Sequence, residues 1–132
     1  MRTLTTPNVF TRAIAATLLG ASAIAVSLPA AARTPFDGLW SVLIVTESGD
    51  CDRGYRYPVA IVNGSVQHAP NEGDQSFVIA GRVATGGAVR VSVRRGEQYA
   101  EGSGRLTSST GEGRWRSPSG GCSGYWQAER RG

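Results

Sequence analysis

The sequence predicts an all-β protein: an eight-stranded antiparallel up-and-down β-barrel with one disulfide, preceded by a helical signal peptide. Three observations predict this fold. From residue 33 onward, short runs of alternating apolar and polar residues recur between glycine, asparagine, aspartate and serine, and no segment keeps a helical period. The chain begins with an apolar stretch that ends in small residues. Cys51 and Cys122, its two cysteines, stand near the two ends of the patterned region.

The N-terminal segment has the features of an export signal. Arg2 and Arg12 supply positive charge, and the apolar run 13–28 is followed by Ala30 and Ala32, which fit an A-x-A cleavage site. This run is shorter than the ~20 apolar residues of a spanning helix. We therefore expect residues 1–32 to be a cleaved signal peptide and the protein to be periplasmic or secreted. No membrane attachment is expected after cleavage, and residues 33–132 form the single small β-barrel domain.

The two cysteines predict one disulfide, because an exported chain folds in an oxidising compartment. Free thiols or a metal pair are the alternatives. The chain has one histidine and no C-x-x-C spacing, which argues against metal. Closing a loop of this length would contribute on the order of 4 kcal/mol to stability by restricting the unfolded chain.

Eight runs are predicted as strands and three turns can be registered. The Asn63-Gly64 pair predicts a two-residue type I′ turn that places Val59 opposite His68. A second turn is predicted at Arg95-Gly96, and a third at residues 107–110. The predicted strands are 39–47, 54–62, 65–69, 75–83, 88–94, 97–106, 111–117 and 122–130.

The predicted register places opposite charges beside one another on the outer face. Arg90, Glu101 and Arg116 would form a row across three strands. The whole chain has a formal charge of +4, which falls to +2 once Arg2 and Arg12 leave with the signal. A wall of paired charges with a small net charge argues against phosphate-backbone binding, so no nucleic-acid partner is expected.

Two features fit a regular barrel less well. Pro58 lies inside the second strand and cannot donate a ladder hydrogen bond, so we expect a bulge or irregular pairing there. The first strand is apolar on both faces over residues 40–45, so a neighbouring subunit or the N-terminal segment is expected to cover its outer side. The expected oligomeric state is a monomer or weak dimer.

Closure follows from where the two cysteines fall. Even-numbered strands of a meander start at one end, so Cys51 and Cys122 share a rim. In a closed barrel the first strand neighbours the second and the eighth, whereas a flat meander separates the two cysteines beyond the ~7 Å limit between bridged Cα atoms. A sandwich with a Greek-key connection is the alternative, and the short turns favour the barrel.

At this point the sequence resembles a family. Gly38-Leu39-Trp40 at the start of the first strand, with Arg130 and Arg131 closing the last, resembles the calycin pattern of lipocalins and avidins. The resemblance implies that Trp40 packs across the barrel floor and is covered by Arg130 or Arg131. The Thr-Asp-Tyr motif of lipocalins and the biotin contacts of avidins are absent. The chain also looks like small exported bacterial barrels, including protease- and lysozyme-inhibitor barrels, so the resemblance assigns no particular function.

No constellation for catalysis is found. His68 is interpreted as an ordinary rim residue, and the carboxylate pairs Asp50/Asp52 and Glu72/Asp74 do not match a calcium loop. A nucleophile elbow, a phosphate-binding loop and a zinc-binding helix motif are also missing. The sequence therefore predicts that the protein is not an enzyme and holds no cofactor or metal.

The remaining candidate site is the barrel interior. Large aromatic and small residues alternate on the inward face, and they either interdigitate into a solid core, which is the favoured interpretation, or line an apolar pocket. The leading hypothesis for function is binding of a small apolar or aromatic ligand. The alternative is a protein-interaction module, such as an inhibitor of a secreted or periplasmic hydrolase, that uses loops 71–75 and 117–121; a structural envelope component is third. The candidate ligand contacts are Trp40, Tyr57, Phe77, Trp115 and Trp126.

Overall fold

A computed structural model describes residues 3, 15–23 and 33–132. Within 33–132, eight antiparallel strands close into a barrel in which each strand pairs with the next and the first pairs with the last. This confirms the predicted fold class, and the fourth strand begins three residues later than predicted. The strands are β1 (Gly38–Ser48), β2 (Gly54–Val62), β3 (Ser65–His68), β4 (Val78–Val83), β5 (Ala88–Arg95), β6 (Gln98–Leu106), β7 (Thr110–Ser117) and β8 (Cys122–Arg130).

Most of the predicted signal peptide, residues 1–32, lies outside the described residues. Residues 15–23 are exposed and adopt no helix or strand. The helical form of the signal is therefore not confirmed, and both this form and the cleavage of the signal stay predictions. Among residues 3, 15–23 and 33–132 there is no helix with the length and apolarity needed to cross a membrane.

The β2–β3 hairpin has the predicted register. Asn63 and Gly64 have φ values of 51° and 78°, the left-handed pair that a type I′ turn requires, and Val59 faces His68. The β6–β7 register is also confirmed, with Glu101 opposite Arg116.

The register of the β5–β6 hairpin differs from the prediction. Its two-residue loop is Gly96-Glu97, so Arg95 faces Gln98. Gly96 has a φ of 60° and takes the first central position, where a type II′ turn needs glycine. The shift moves each β5 residue to a different partner but leaves every side chain on the predicted face.

The predicted row of charges is therefore wrong. Arg90 faces Ser103 on β6 and Arg82 on β4, whereas Glu101 faces Ser92. Charge pairing persists elsewhere on the outside: the guanidinium of Arg116 lies 3.2 Å from the Glu101 carboxylate.

The expected irregularity at Pro58 is also wrong. β1 and β2 pair without a shift from Gly38↔Ile61 to Val45↔Gly54, with Pro58 opposite Ser41. The N–H of Thr46 donates to the carbonyl of Arg53, and alternation along the ladder makes Ser41–Pro58 a pair that exchanges no hydrogen bond. The proline nitrogen instead faces the β3 side, where β3 has already ended at His68. Pro58 therefore removes no hydrogen bond from the sheet.

A disulfide joins Cys51 to Cys122, with the Cα atoms 6.1 Å apart, which confirms the predicted bridge. It lies at the end of the barrel where β1 has a bulge between Thr46 and Ser48. A disulfide fits a protein that folds in an oxidising compartment.

The opposite end of the barrel is a packed floor. Residues 33–37 lie there rather than along the outside of β1, since Phe36 is buried against Trp40. Apolar side chains from six strands complete this core, and the outer face of β1 is half-buried at Leu43 and Val45. The buried core residues are Phe36, Trp40, Ile61, Val66, Val83, Val89, Leu106 and Ala128.

Candidate functional site

Above the packed floor, the barrel interior contains a cavity of about 280 Å³. All five residues predicted as ligand contacts line it, so the expectation of a solid core is wrong. The aliphatic part of the wall comes mainly from Val42, Ile44, Val59, Ile79, Val91 and Val93. The predicted contacts in the lining are Trp40, Tyr57, Phe77, Trp115 and Trp126.

The cavity exists because Trp126 lies flat against the wall. A Cβ atom built at Gly113 would lie 2.5 Å from Cε2 of the indole, and one at Gly104 would lie 2.6 Å from Cζ2. At Gly111 the nearest indole atom would be 3.2 Å away. Glycines on β6 and β7 therefore give the ring room to lie along the sheet. An indole that does not cross the lumen leaves that volume unfilled.

Trp115 lies inside the barrel in a similar way, against β8 and β1. Its indole Nε1 donates to the backbone carbonyl of Val45 at 3.0 Å, and a Cβ at Gly124 would lie 3.0 Å from the same nitrogen. The indole N–H is thus already used, and the ring presents apolar surface to the cavity.

Trp40 closes the floor, as the resemblance implied. It is only 1% exposed, and its Nε1 donates to the carbonyl of Phe36 at 2.9 Å. The guanidinium of Arg130 lies 4.9 Å from the ring centroid and donates to the carbonyls of Asp37, Pro35 and Ser108.

Of the two candidate covers, Arg130 is the one used. Arg131 instead extends along the outside, where its guanidinium lies 3.5 Å from the carboxylate of Glu72.

The opposite end of the cavity is a polar mouth. Thr46 is buried there and donates through its hydroxyl to the carbonyl of Asp52 at 2.6 Å, while Tyr55 is half-exposed. Arg95 holds its guanidinium 5.0 Å from the centroid of Phe77. Polar groups near the disulfide thus surround the entrance to an apolar interior.

Tyr57, one of the predicted contacts, belongs to a chain of hydrogen bonds that the sequence did not predict. Its Oη lies 2.8 Å from Nδ1 of His68 and 2.5 Å from the carbonyl oxygen of Asp74. The other ring nitrogen of His68 contacts the carbonyl of Phe77. Burial raises the pKa of Tyr57, and the charge of Asp74 adds to that shift. This chain joins segment 69–77 to the wall of the cavity.

Glu72 and Asp74, one of the acidic pairs singled out in the sequence, lie beside arginine side chains. Glu72 contacts Arg131 and Asp74 contacts Arg95, each at 3.5 Å. Within the part of the chain that the structure describes, no three histidine, cysteine or carboxylate side chains come together as a metal site would require. The lining of the cavity consists mainly of aliphatic and aromatic side chains.

No protein-family model, curated protein or solved structure matches this chain. The class it belongs to is the one that its own geometry defines: a small, disulfide-linked, eight-stranded antiparallel barrel with an apolar cavity.

Proposed function

We propose that this chain is an exported barrel protein that binds a small apolar or aromatic molecule inside the barrel. The observation that carries this proposal is the cavity of about 280 Å³, with its aromatic lining and polar mouth. Ligand sites usually measure ~300–1,000 Å³, so the molecule would be small.

Export and a calycin-like relationship belong to the same proposal. The N-terminal sequence and the disulfide support export into the periplasm or the medium. The packing of Arg130 over Trp40 at the barrel floor supports the calycin-like part.

The expected affinity follows from the area that such a ligand could bury. A molecule that buries ~200 Å² of apolar surface gains about 5 kcal/mol at ~25 cal/mol per Å². Part of this gain offsets lost freedom of motion, so the buried area alone predicts a dissociation constant of about 0.2 mM or weaker.

A titration with N-phenyl-1-naphthylamine, a neutral aromatic fluorophore, tests the proposal. The disulfide-bonded protein should give saturable enhancement of probe emission together with quenching of tryptophan emission. Ala100→Leu places a larger side chain at a cavity-lining position of β6 and should weaken binding at least about tenfold.

The matched control is Ala80→Leu, which makes the same change at an exposed position on β4. It should bind the probe as the unmodified protein does. Absence of saturable binding, or equal weakening by both variants, would contradict binding inside the barrel.

The interaction-module alternative remains a prediction. Its two loops, 71–75 and 117–121, are largely exposed, but the structure gives no surface feature that favours a protein partner there over the cavity.

A further inference from the structure

Tyr57 and His68 lie in a series of three hydrogen bonds, each of which needs one proton. Three hydrogen bonds run in series from the Asp74 carbonyl to Tyr57 Oη, from there to His68 Nδ1, and from His68 Nε2 to the Phe77 carbonyl. Carbonyl oxygens at both ends can only accept. Three hydrogen bonds between two acceptor ends need three protons.

A neutral histidine cannot supply them. The tyrosine hydroxyl must donate to Asp74, and Nε2 must donate to Phe77. In the neutral ring, Nδ1 is then an unprotonated nitrogen 2.8 Å from the Tyr57 oxygen, with no proton between them. In the imidazolium form, Nδ1 also carries a proton and donates it to Tyr57. The observed set of contacts is therefore complete only when His68 is charged.

The ionisable groups around His68 come from three elements of the barrel. Segment 69–77 contributes the carboxylate of Asp74, whose pKa is lowered first by hydrogen bonds from Ser76 and further by the charges of Arg95 and His68. β2 contributes Tyr57, whose pKa is raised. β5 contributes Arg95, whose guanidinium lies 3.5 Å from Asp74. His68 is also the only histidine in the sequence.

We propose that protonation of His68 clamps segment 69–77 against the barrel and makes retention of the cavity ligand depend on pH. The ligand part of this inference rests on the proposed function, whereas the clamp does not. Tyr57 and Phe77 line the cavity and are both tied into the clamp, so closing it fixes part of the cavity wall.

The direction of the pH dependence follows from the protonated form of His68, which completes the series of hydrogen bonds. The imidazolium form of His68 closes the clamp, whereas loss of its proton at higher pH removes one charge-assisted hydrogen bond and loosens the clamp. Ligand should leave more slowly at pH 5.5 than at pH 8.

The clamp is tested first without ligand. Nitrogen-15 NMR of His68 at pH 5.5 should show protons on both ring nitrogens, and amide exchange in segment 69–77, corrected for intrinsic rates, should be about tenfold slower than at pH 8. A neutral ring at pH 5.5, or equal protection at both pH values, would overturn the clamp.

Tyr57→Phe removes the middle of the chain and should abolish the pH dependence of exchange in segment 69–77. The matched control is Tyr125→Phe on β8, which faces Arg114 and Val45 and should keep it. Retained pH dependence in Tyr57→Phe would overturn the role of the tyrosine. The NMR measurement on the unmodified protein decides the matter if that variant does not fold.

The ligand part is tested by the dissociation rate of N-phenyl-1-naphthylamine, which should rise about tenfold from pH 5.5 to pH 8. A rate that is independent of pH while exchange in the segment changes would overturn regulation and leave the clamp. Failure of the probe to bind, with the NMR result as expected, would contradict the proposed function and support the clamp alone.

Discussion

Asp37 joins the floor of the barrel to the turn of the β2–β3 hairpin. Its carboxylate accepts hydrogen bonds from the backbone N–H groups of Asn63 (2.8 Å) and Gly64 (3.1 Å) and from the hydroxyl of Thr34 (2.5 Å). Burial acts to raise the pKa of Asp37, but these hydrogen bonds outweigh it and hold the pKa below its ordinary value. The ionised form is therefore the one that the fold stabilises.

The lowered pKa predicts how Asp37 contributes to stability against acid. Because the folded pKa lies below the unfolded value of about 3.9, the contribution is fully present above that pH and is lost as the pH falls through the folded value. Asp37→Asn should lower the free energy of unfolding at pH 7 by about 1–2 kcal/mol and flatten its fall below pH 4.

Urea denaturation at a series of pH values measures both effects. Asp50→Asn, at an exposed loop carboxylate, serves as the control and should leave the curve unchanged. If Asp37→Asn left the acid limb as steep as in the unmodified protein, the assigned role of Asp37 would be wrong.

At the scale of single residues, the sequence predicted the floor better than the wall. Trp40 could be assigned because a short motif marks it, and the end of the last strand narrowed its cover to Arg130 or Arg131. The contact between Tyr57 and His68 could be predicted only in part from the sequence: the predicted hairpin register places His68 opposite Val59, two residues from Tyr57. Its carbonyl partners belong to segment 69–77, whose path depends on the early end of β3 and has no local sequence signal.

At the scale of elements, β6 and β7 are built around Trp126. Gly104 and Gly113 face each other across these strands, and the indole covers both. A side chain at either position would meet backbone oxygen as well as the ring, because a Cβ at Gly113 would lie 2.1 Å from the carbonyl of Ser103. These glycines provide space rather than flexibility.

Gly113→Ala should therefore lower the free energy of unfolding by about 2–3 kcal/mol, because the added methyl group must displace the indole or the neighbouring strand. Thermal or urea denaturation measures the loss. Gly86→Ala is the matched control: its Cβ would have no neighbour within 4 Å, so the change should be within about 0.5 kcal/mol of zero. Equal effects of the two substitutions would refute the close packing of Trp126.

The β1–β8 seam is the element pair that the disulfide supports. Replacing Cys51 and Cys122 by serine should lower the free energy of unfolding by about 4 kcal/mol. In hydrogen exchange, the seam amides of Val45 and Tyr125 should lose protection before those of the β4–β5 hairpin. Uniform loss across the barrel would contradict a local role for the bridge.

Strand positions were predictable from alternation, but one register was not. A turn at Arg95-Gly96 and a turn at Gly96-Glu97 contain the same glycine and place the same side chains inward. Alternation cannot distinguish them, because they differ by an even shift in pairing. The positive φ of Gly96 at the first central position decides between them.

At the scale of the whole molecule, the barrel is packed at one end and hollow at the other. The buried apolar residues cluster around Trp40, and the cavity extends from there toward the disulfide. Alternation identified which residues point inward. It could not give the volume that they fill, because that depends on whether each indole crosses the lumen or lies along a glycine-lined wall.

The central claim is that a small apolar molecule occupies this cavity. The most direct measurement is a set of isotope-filtered nuclear Overhauser effects between N-phenyl-1-naphthylamine and methyl groups of the protein. The probe should contact Ile44 and Val91, which line the cavity, and should show no contact with Val62 and Val78, which are exposed on the outer surface. Contacts to the outer methyl groups, or none at saturating probe, would contradict the claim.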